Sequence, residues 1–93
     1  MNIYHILWKD QFIEKLLVKH NITTDEVEEV LFGNSLIRFW EKGSVAGENL
    51  YVAYGQANSG RYLIVFFIQK SGAVAMPISA RDMTASERRY YRG

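Results

Sequence analysis

Cysteine is absent from this chain, and with it go disulfides, thiolate nucleophiles and cysteine-based zinc sites. That absence fits a reducing compartment, so a cytoplasmic location is the expectation. His5 and His20 lack metal-ligand spacing and no carboxylate cluster accompanies them, so neither a metal site nor a cofactor is expected. With a single proline and only seven glycines, no linker or low-complexity stretch divides the chain, and one domain over residues 1–93 is expected. Long apolar runs are missing too. The longest, residues 62–68, falls far short of the roughly 20 residues that cross a bilayer. Residues 1–10 lack the basic segment and apolar stretch of a signal peptide, so a protein free of the membrane is expected.

Excess charge of either sign is also lacking: 11 Lys and Arg stand against 10 Asp and Glu, for a net of +1. Bulk attraction to nucleic acid is therefore not legible in the total. Position changes that conclusion. Residues 1–50 carry five Lys/Arg against eight Asp/Glu, a net of −3, while residues 51–93 carry six against two, a net of +4. Five of those six downstream cations are arginine, whose planar fork suits phosphate and carboxylate oxygens. The chain has 48% hydrophobic and 14% aromatic residues, enough apolar side chains to fill a core.

Over residues 9–20, Phe12, Ile13, Leu16 and Leu17 form one apolar stripe, which predicts an amphipathic helix. Thr23 followed by Glu26 is a capping box that opens a second helix, with Val27, Val30 and Leu31 on its buried side and Gly33-Asn34 at its end. From Leu36 the period changes to two. Residues 36–41, 49–56, 61–69 and 73–79 read as strands, and the short connectors 42–47, 57–60 and 70–72 favour antiparallel hairpins. The strand within 62–68 is apolar on both sides, so it should lie centrally and be covered on both faces. Pro77 has no amide to donate, which predicts that its strand lies at an edge or ends there. Thr84 and Glu87 repeat the capping box and open a last helix through Tyr91. The expected architecture is α+β: two N-terminal helices, a four-stranded antiparallel sheet and a C-terminal helix.

The most distinctive local feature is Ile78-Ser79-Ala80-Arg81, a strand end that delivers a hydroxyl and a guanidinium, followed by Glu87, Arg88 and Tyr91 on the last helix. This tail resembles the BrnT-type toxin family of the RelE-like superfamily, whose members close with an Ile-Ser-Ala-Arg strand end and a Glu-Arg-x-x-Tyr helix. The likeness extends back through Gly60-Arg61-Tyr62-Leu63-Ile64-Val65, Gly55 and Gly47-Glu48, and to Trp8, Lys19-His20 and residues 22–32. Four positions depart from the family pattern. Phe12 and Leu16 stand where a lysine and an asparagine are common, Leu50 where an arginine is usual, and Asn21 where a glycine follows the histidine.

The resemblance implies the toxin of a type II toxin–antitoxin system: an RNA-binding hydrolase that cleaves RNA without a metal and is neutralised by its cognate antitoxin. Such cleavage needs a base for the 2′-hydroxyl proton, an acid for the leaving 5′-oxygen and cations for the charge on the phosphorane. From the resemblance and chemical type, His20, Arg61, Ser79 and Arg81 are the candidate catalytic residues, and Arg88, Arg89 and Tyr91 the candidate substrate-binding residues. Five of them also have a bland reading. His20 could cap a helix, Arg81 could pair with Asp82 or Glu87, Arg88 and Arg89 could be a solvated face, and Tyr91 could pack on the sheet. Trp8 and Trp40 read as core or interface residues. The resemblance further implies a ribbon-helix-helix antitoxin of the BrnA type, contact with DNA only through that partner, and a homodimer within the complex as one admissible assembly. Acidic segments of the partner would suit Arg61, Arg81 and Arg88. The alternative, motivated by Phe12, Leu16 and Leu50, is a catalytically degenerate binding module of the same fold.

Overall fold

Two reciprocal pairs of side chains that accept amide protons set the start of two helices. Thr23 accepts from the Glu26 amide while Glu26 accepts from the Thr23 amide, opening the helix Thr24–Phe32, and Thr84 and Glu87 do the same for the helix Ala85–Arg92. The computed structural model describes residues 2–45 and 47–93. Its elements in chain order are β1 (His5–Ile6), α1 (Asp10–His20), α2 (Thr24–Phe32), β2 (Leu36–Glu41), β3 (Leu50–Gln56), β4 (Tyr62–Lys70), β5 (Val74–Asp82) and α3 (Ala85–Arg92). Ala46, in the connector expected over 42–47, lies outside the described residues. Among the described residues no helix is long and apolar enough to cross a membrane.

The α+β class holds, but the sheet is five-stranded and mixed rather than four-stranded and antiparallel. Its order is β1-β5-β4-β3-β2, with β1 parallel to β5 through His5↔Val74 and Ile6↔Ala75. A two-residue strand shows no periodicity, and its partner lies near the other end of the chain, so local pattern cannot reveal it. The four expected strands form the antiparallel part, and β5 continues to Asp82 rather than ending at residue 79.

Pro77 corrects a second expectation, since β5 is flanked on both sides and Pro77 is buried within it. Two local features free it from donating. Pairing with β1 stops at Ala75, and on the other side the register slips by one residue between Phe67↔Pro77 and Phe66↔Ser79. Ile78 is the extra residue of that bulge.

The apolar stripe of α1 is narrower than its sequence suggests. Leu16 is buried, whereas Leu17 is 53% exposed and belongs to the outer surface. On the helix side of the sheet, Leu16, Ile22, Val27, Val30 and Leu31 pack on Ala53, Leu63, Val65, Phe67 and Ala80. There α2 rests directly on β3: a Cβ at Gly55 would lie 2.8 Å from Val30 Cγ1, so only glycine fits. On the opposite side Val52, Ile64 and Met83 are buried beneath Tyr54, Tyr62, Phe66 and Tyr91. β4 is thus covered on both faces, as its composition requires.

Candidate functional site

The seven candidate residues divide between the two faces of the sheet. Arg61 immediately precedes β4 and points to the helix side. Its Nε donates to Asp82 Oδ1 at 2.7 Å and its Nη2 to Asp82 Oδ2 at 3.1 Å, while Nη1 and Nη2 also reach the Asn21 and His20 carbonyls at 2.7 and 2.9 Å. Glu26 Oε1 lies 3.5 Å from Nη1. These contacts engage the whole guanidinium fork, so Arg61 clasps the α1–α2 junction to the end of β5. The carboxylate of Asp82 holds Arg61 more firmly protonated than usual, and Arg61 in turn holds the Asp82 carboxyl below its ordinary pKa. The backbone of His20 belongs to this clasp. The following Asn21 takes φ +53°, the left-handed conformation that glycine adopts most easily and asparagine next, so asparagine suits the turn it occupies here.

Arg81 faces the other way. Its Nη1 and Nη2 grip Glu87 Oε1 and Oε2 at 2.7 and 2.9 Å, and its guanidinium lies 5.8 Å from the centre of the Phe66 ring. Glu87 therefore caps α3 and anchors Arg81 with one carboxylate. The hydrogen bonds from Arg81, followed by those from Thr84, hold it at about 2. Ser79 sits two residues earlier on the same face, opposite Phe66. The bulge at Ile78 is what separates Arg81 from Arg61. Were the Ile68↔Met76 register continued without it, residue 81 would fall opposite Leu63 on the helix side, next to Arg61.

Across this second face lies α3, whose residues form two stripes. Glu87, Tyr90 and Tyr91 turn toward the sheet: Tyr90 meets Tyr54 edge-on at 5.2 Å and Tyr91 meets Tyr62 at 6.2 Å. The Tyr91 hydroxyl donates to the Asn34 carbonyl at 3.4 Å. Arg88, Arg89 and Arg92 form the outer stripe and line a shallow recess with Ala85 and Gly93, while Arg88 also lies 6.0 Å from the Tyr62 ring. The structure thus brings Ser79, Arg81, Arg88, Arg89 and Tyr91 to one face, with His20 and Arg61 on the other.

Sequence reading missed Arg38 on the α3 side and took Trp40 only as a core or interface residue. Arg38 donates from Nε to the Tyr90 hydroxyl at 3.0 Å, and half-exposed Trp40 stands edge-on to Phe66 at 5.4 Å. The two-residue period of β2 places both on the face that carries Val52 and Tyr54 of β3, a signal available only once the register is known. Among the described residues, Arg38, Arg88, Arg89 and Arg92 have no carboxylate within ion-pair distance. Phe12 is half-buried and Leu16 lies in the core, so the apolar character of Leu16 is a packing requirement of α1.

The fold therefore defines a small α+β domain with one helix-covered face and one face rich in arginine and tyrosine. It is shared with the Brucella abortus ribonuclease toxin BrnT, whose 1.1 Å crystal structure aligns with a TM-score of 0.63 at 18% identity, over 86% of this chain and 96% of that one. The family model for the ribonuclease toxin BrnT of type II toxin–antitoxin systems matches residues 8–87. This chain belongs to that family. No curated protein matches it in sequence. The family match ends at Glu87, so the outer arginine stripe of α3 lies beyond it.

Proposed function

We propose that this chain is a metal-independent endoribonuclease that binds single-stranded RNA over the α3 side of its sheet and cuts it there, and that its antitoxin silences it by covering that face. The observation that carries this reading is the concentration of Arg38, Arg88, Arg89 and Arg92, all without carboxylate partners, among exposed or half-exposed aromatic rings. Arginines without acidic partners attract phosphates, and aromatic rings accept unstacked bases. The family membership supplies the reaction class.

In this reading Arg81 and Arg88 stabilise the negative charge that develops on the phosphorane, Ser79 donates to a phosphate oxygen, and Arg89 and Tyr91 bind the flanking nucleotides. The nucleophile is the substrate's own 2′-hydroxyl, so charge stabilisation by arginine and proton transfer suffice for the step. His20 and Arg61 hold the helices against the sheet end on the opposite face. The partner follows from charge: a segment rich in Asp and Glu that covers α3 would occupy the RNA surface.

The test is cleavage of a single-stranded oligoribonucleotide in excess chelator. Wild-type protein should cut it, an equimolar antitoxin should stop the cutting, and Arg81→Ala should slow it by on the order of 10²-fold or more. Because Arg81 also anchors α3, Arg81→Lys is the companion variant: it keeps the charge but loses the bidentate grip on Glu87. A wild-type protein that binds antitoxin yet leaves RNA intact would establish the degenerate binding module instead.

A further inference from the structure

We infer that Tyr54 donates the proton that the departing 5′-oxygen takes up in RNA cleavage, an inference that rests on the ribonuclease reading above. Three observations place it there. Register comes first: Leu36, Tyr54, Ile64 and Arg81 form one cross-strand row on the α3 side, and Arg38, Val52, Phe66 and Ser79 form the next. Tyr54 therefore shares a face with every charged group of the site, with only Ile64 between its strand position and that of Arg81.

The second observation is the state of its hydroxyl. Half-buried Tyr54 is held edge-on by Tyr90 at 5.2 Å, yet its hydroxyl makes no hydrogen bond among the described residues. Two other phenols on this face keep their protons, but Tyr62 lies in the next cross-strand row, opposite Gln56, and Tyr90 stands half-exposed on α3, whereas Tyr54 lies in the row of Arg81 itself. The remaining proton-bearing groups nearby are engaged or unsuited. Arg38 donates to the Tyr90 hydroxyl, the Tyr91 hydroxyl donates to Asn34, and the Glu87 carboxylate is ionised in the grip of Arg81. A guanidinium does not give up its proton near neutral pH, and a serine hydroxyl is a far weaker acid than a phenol.

Third, burial, aided by the negative Glu87, keeps Tyr54 in the donating form. Burial, then the negative Glu87, then Tyr90 raise its pKa above the ordinary phenol value, partly opposed by Arg81 and Arg38. The phenol is thus protonated at neutral pH, and it is still a much stronger acid than the alcohol that the 5′-oxygen becomes, so transfer to the departing oxygen is favourable.

The 2′-hydroxyl loses its proton to water as the 2′-oxygen bonds to phosphorus. The bond from phosphorus to the 5′-oxygen breaks, and that oxygen takes the Tyr54 phenolic proton. The products are a 2′,3′-cyclic phosphate and a 5′-hydroxyl end, and the phenolate regains a proton from solvent.

The experiment compares wild type and Tyr54→Phe in single-turnover cleavage of two single-stranded oligoribonucleotides. One has an ordinary scissile phosphodiester, and the other has sulfur in place of the bridging 5′-oxygen, a leaving group that needs no proton. Tyr54→Phe keeps the ring that packs on Tyr90, and RNA binding measured by fluorescence anisotropy should be unchanged. The expected result is a loss on the order of 10²-fold or more with the oxygen substrate and less than about fivefold with the sulfur substrate. Equal losses on both substrates, or no loss on the oxygen substrate, overturn the assignment while leaving the ribonuclease reading standing. Failure of wild type to cut either substrate overturns both.

Discussion

Arg61 and Arg81 stand at the same end of the paired strands β4 and β5 yet point to opposite faces of the sheet, because the bulge at Ile78 shifts the register by one residue between them. The same shift turns Asp82 toward Arg61 and leaves Arg81 to Glu87. Two arginines at one end of the sheet thereby acquire different duties. Arg61→Ala should act on stability: it strips the His20 and Asn21 carbonyls and Asp82 of a charged donor. A loss of about 1–3 kcal/mol is expected, moderated by the partial exposure of the clasp, with RNA affinity near wild type. Urea unfolding combined with anisotropy binding checks this. An Arg61→Ala protein of wild-type stability that no longer binds RNA would contradict it.

His20 supplies the companion case. Its imidazole is of the type that suits acid–base catalysis, but its backbone is part of the Arg61 clasp, on the face away from Arg81 and Ser79. His20→Ala should therefore cut RNA within about threefold of wild type, while Arg81→Ala loses on the order of 10²-fold or more. Parallel initial rates on one oligoribonucleotide decide the matter. A deep loss with His20→Ala would move the chemistry to the sheet end, where both faces meet.

The Arg81–Glu87 pair makes a pH prediction whose sign is fixed. Glu87 falls from the usual 4.5 to about 2 in the folded protein, chiefly through its hydrogen bonds from Arg81. A depressed carboxyl stabilises the fold above its unfolded pKa and loses that contribution as pH falls through the folded value. The contribution should thus be complete above about pH 5 and fade toward pH 2, with Asp82, also depressed, adding in the same direction. Compared with Glu87→Gln, wild type should be more stable by about 1–3 kcal/mol at pH 7 and by almost nothing near pH 2. Unfolding free energies from pH 2 to 7 test this, and a difference that does not vary with pH would refute the pairing.

Much of this fold was legible because its signals are local. The Thr23–Glu26 and Thr84–Glu87 boxes span four residues each, and both cap helices as expected. The alternation in residues 36–82 likewise marks the strands of the meander. What stayed hidden depends on register. β1 has too few residues to show a period, and the one local sign of the bulge at Ile78 is the adjacent Pro77, which reads equally as a strand edge or end. That one residue decides which face Arg81 joins, so the candidate site could be named residue by residue but not assembled. Arg38 and Tyr54 escaped notice for the same reason: their meeting with Tyr90 spans distant parts of the chain.

Leu16 shows how a departure from a family pattern reads differently once packing is known. It is 1% exposed in the core beneath α1, whereas Phe12 is only half-buried. Leu16→Asn would remove apolar contacts and bury an amide, at a cost of about 3–5 kcal/mol. Phe12→Lys should cost less, because a lysine stem can lie along the surface with its charge in water. Neither should raise cleavage per folded molecule. Urea titrations and specific activities of the two variants check both statements, and a folded, more active Leu16→Asn protein would show that α1 faces the substrate.

Salt dependence distinguishes the α3 face from the rest of the cationic surface. Binding of single-stranded RNA releases counterions, so log Kobs falls with log salt at a slope of roughly −0.7 for each phosphate neutralised. Arg88, Arg89 and Arg92 form one outward stripe, so replacing all three with alanine should make the slope shallower by about 2 and weaken binding similarly for different RNA sequences. Lys19 serves as the control because it projects from α1 on the opposite side of the sheet. Lys19→Ala should leave the slope unchanged. If instead Lys19→Ala flattened the slope and the triple arginine variant did not, RNA would lie along the helix-covered face, and the arginines of α3 would be free to serve the antitoxin alone.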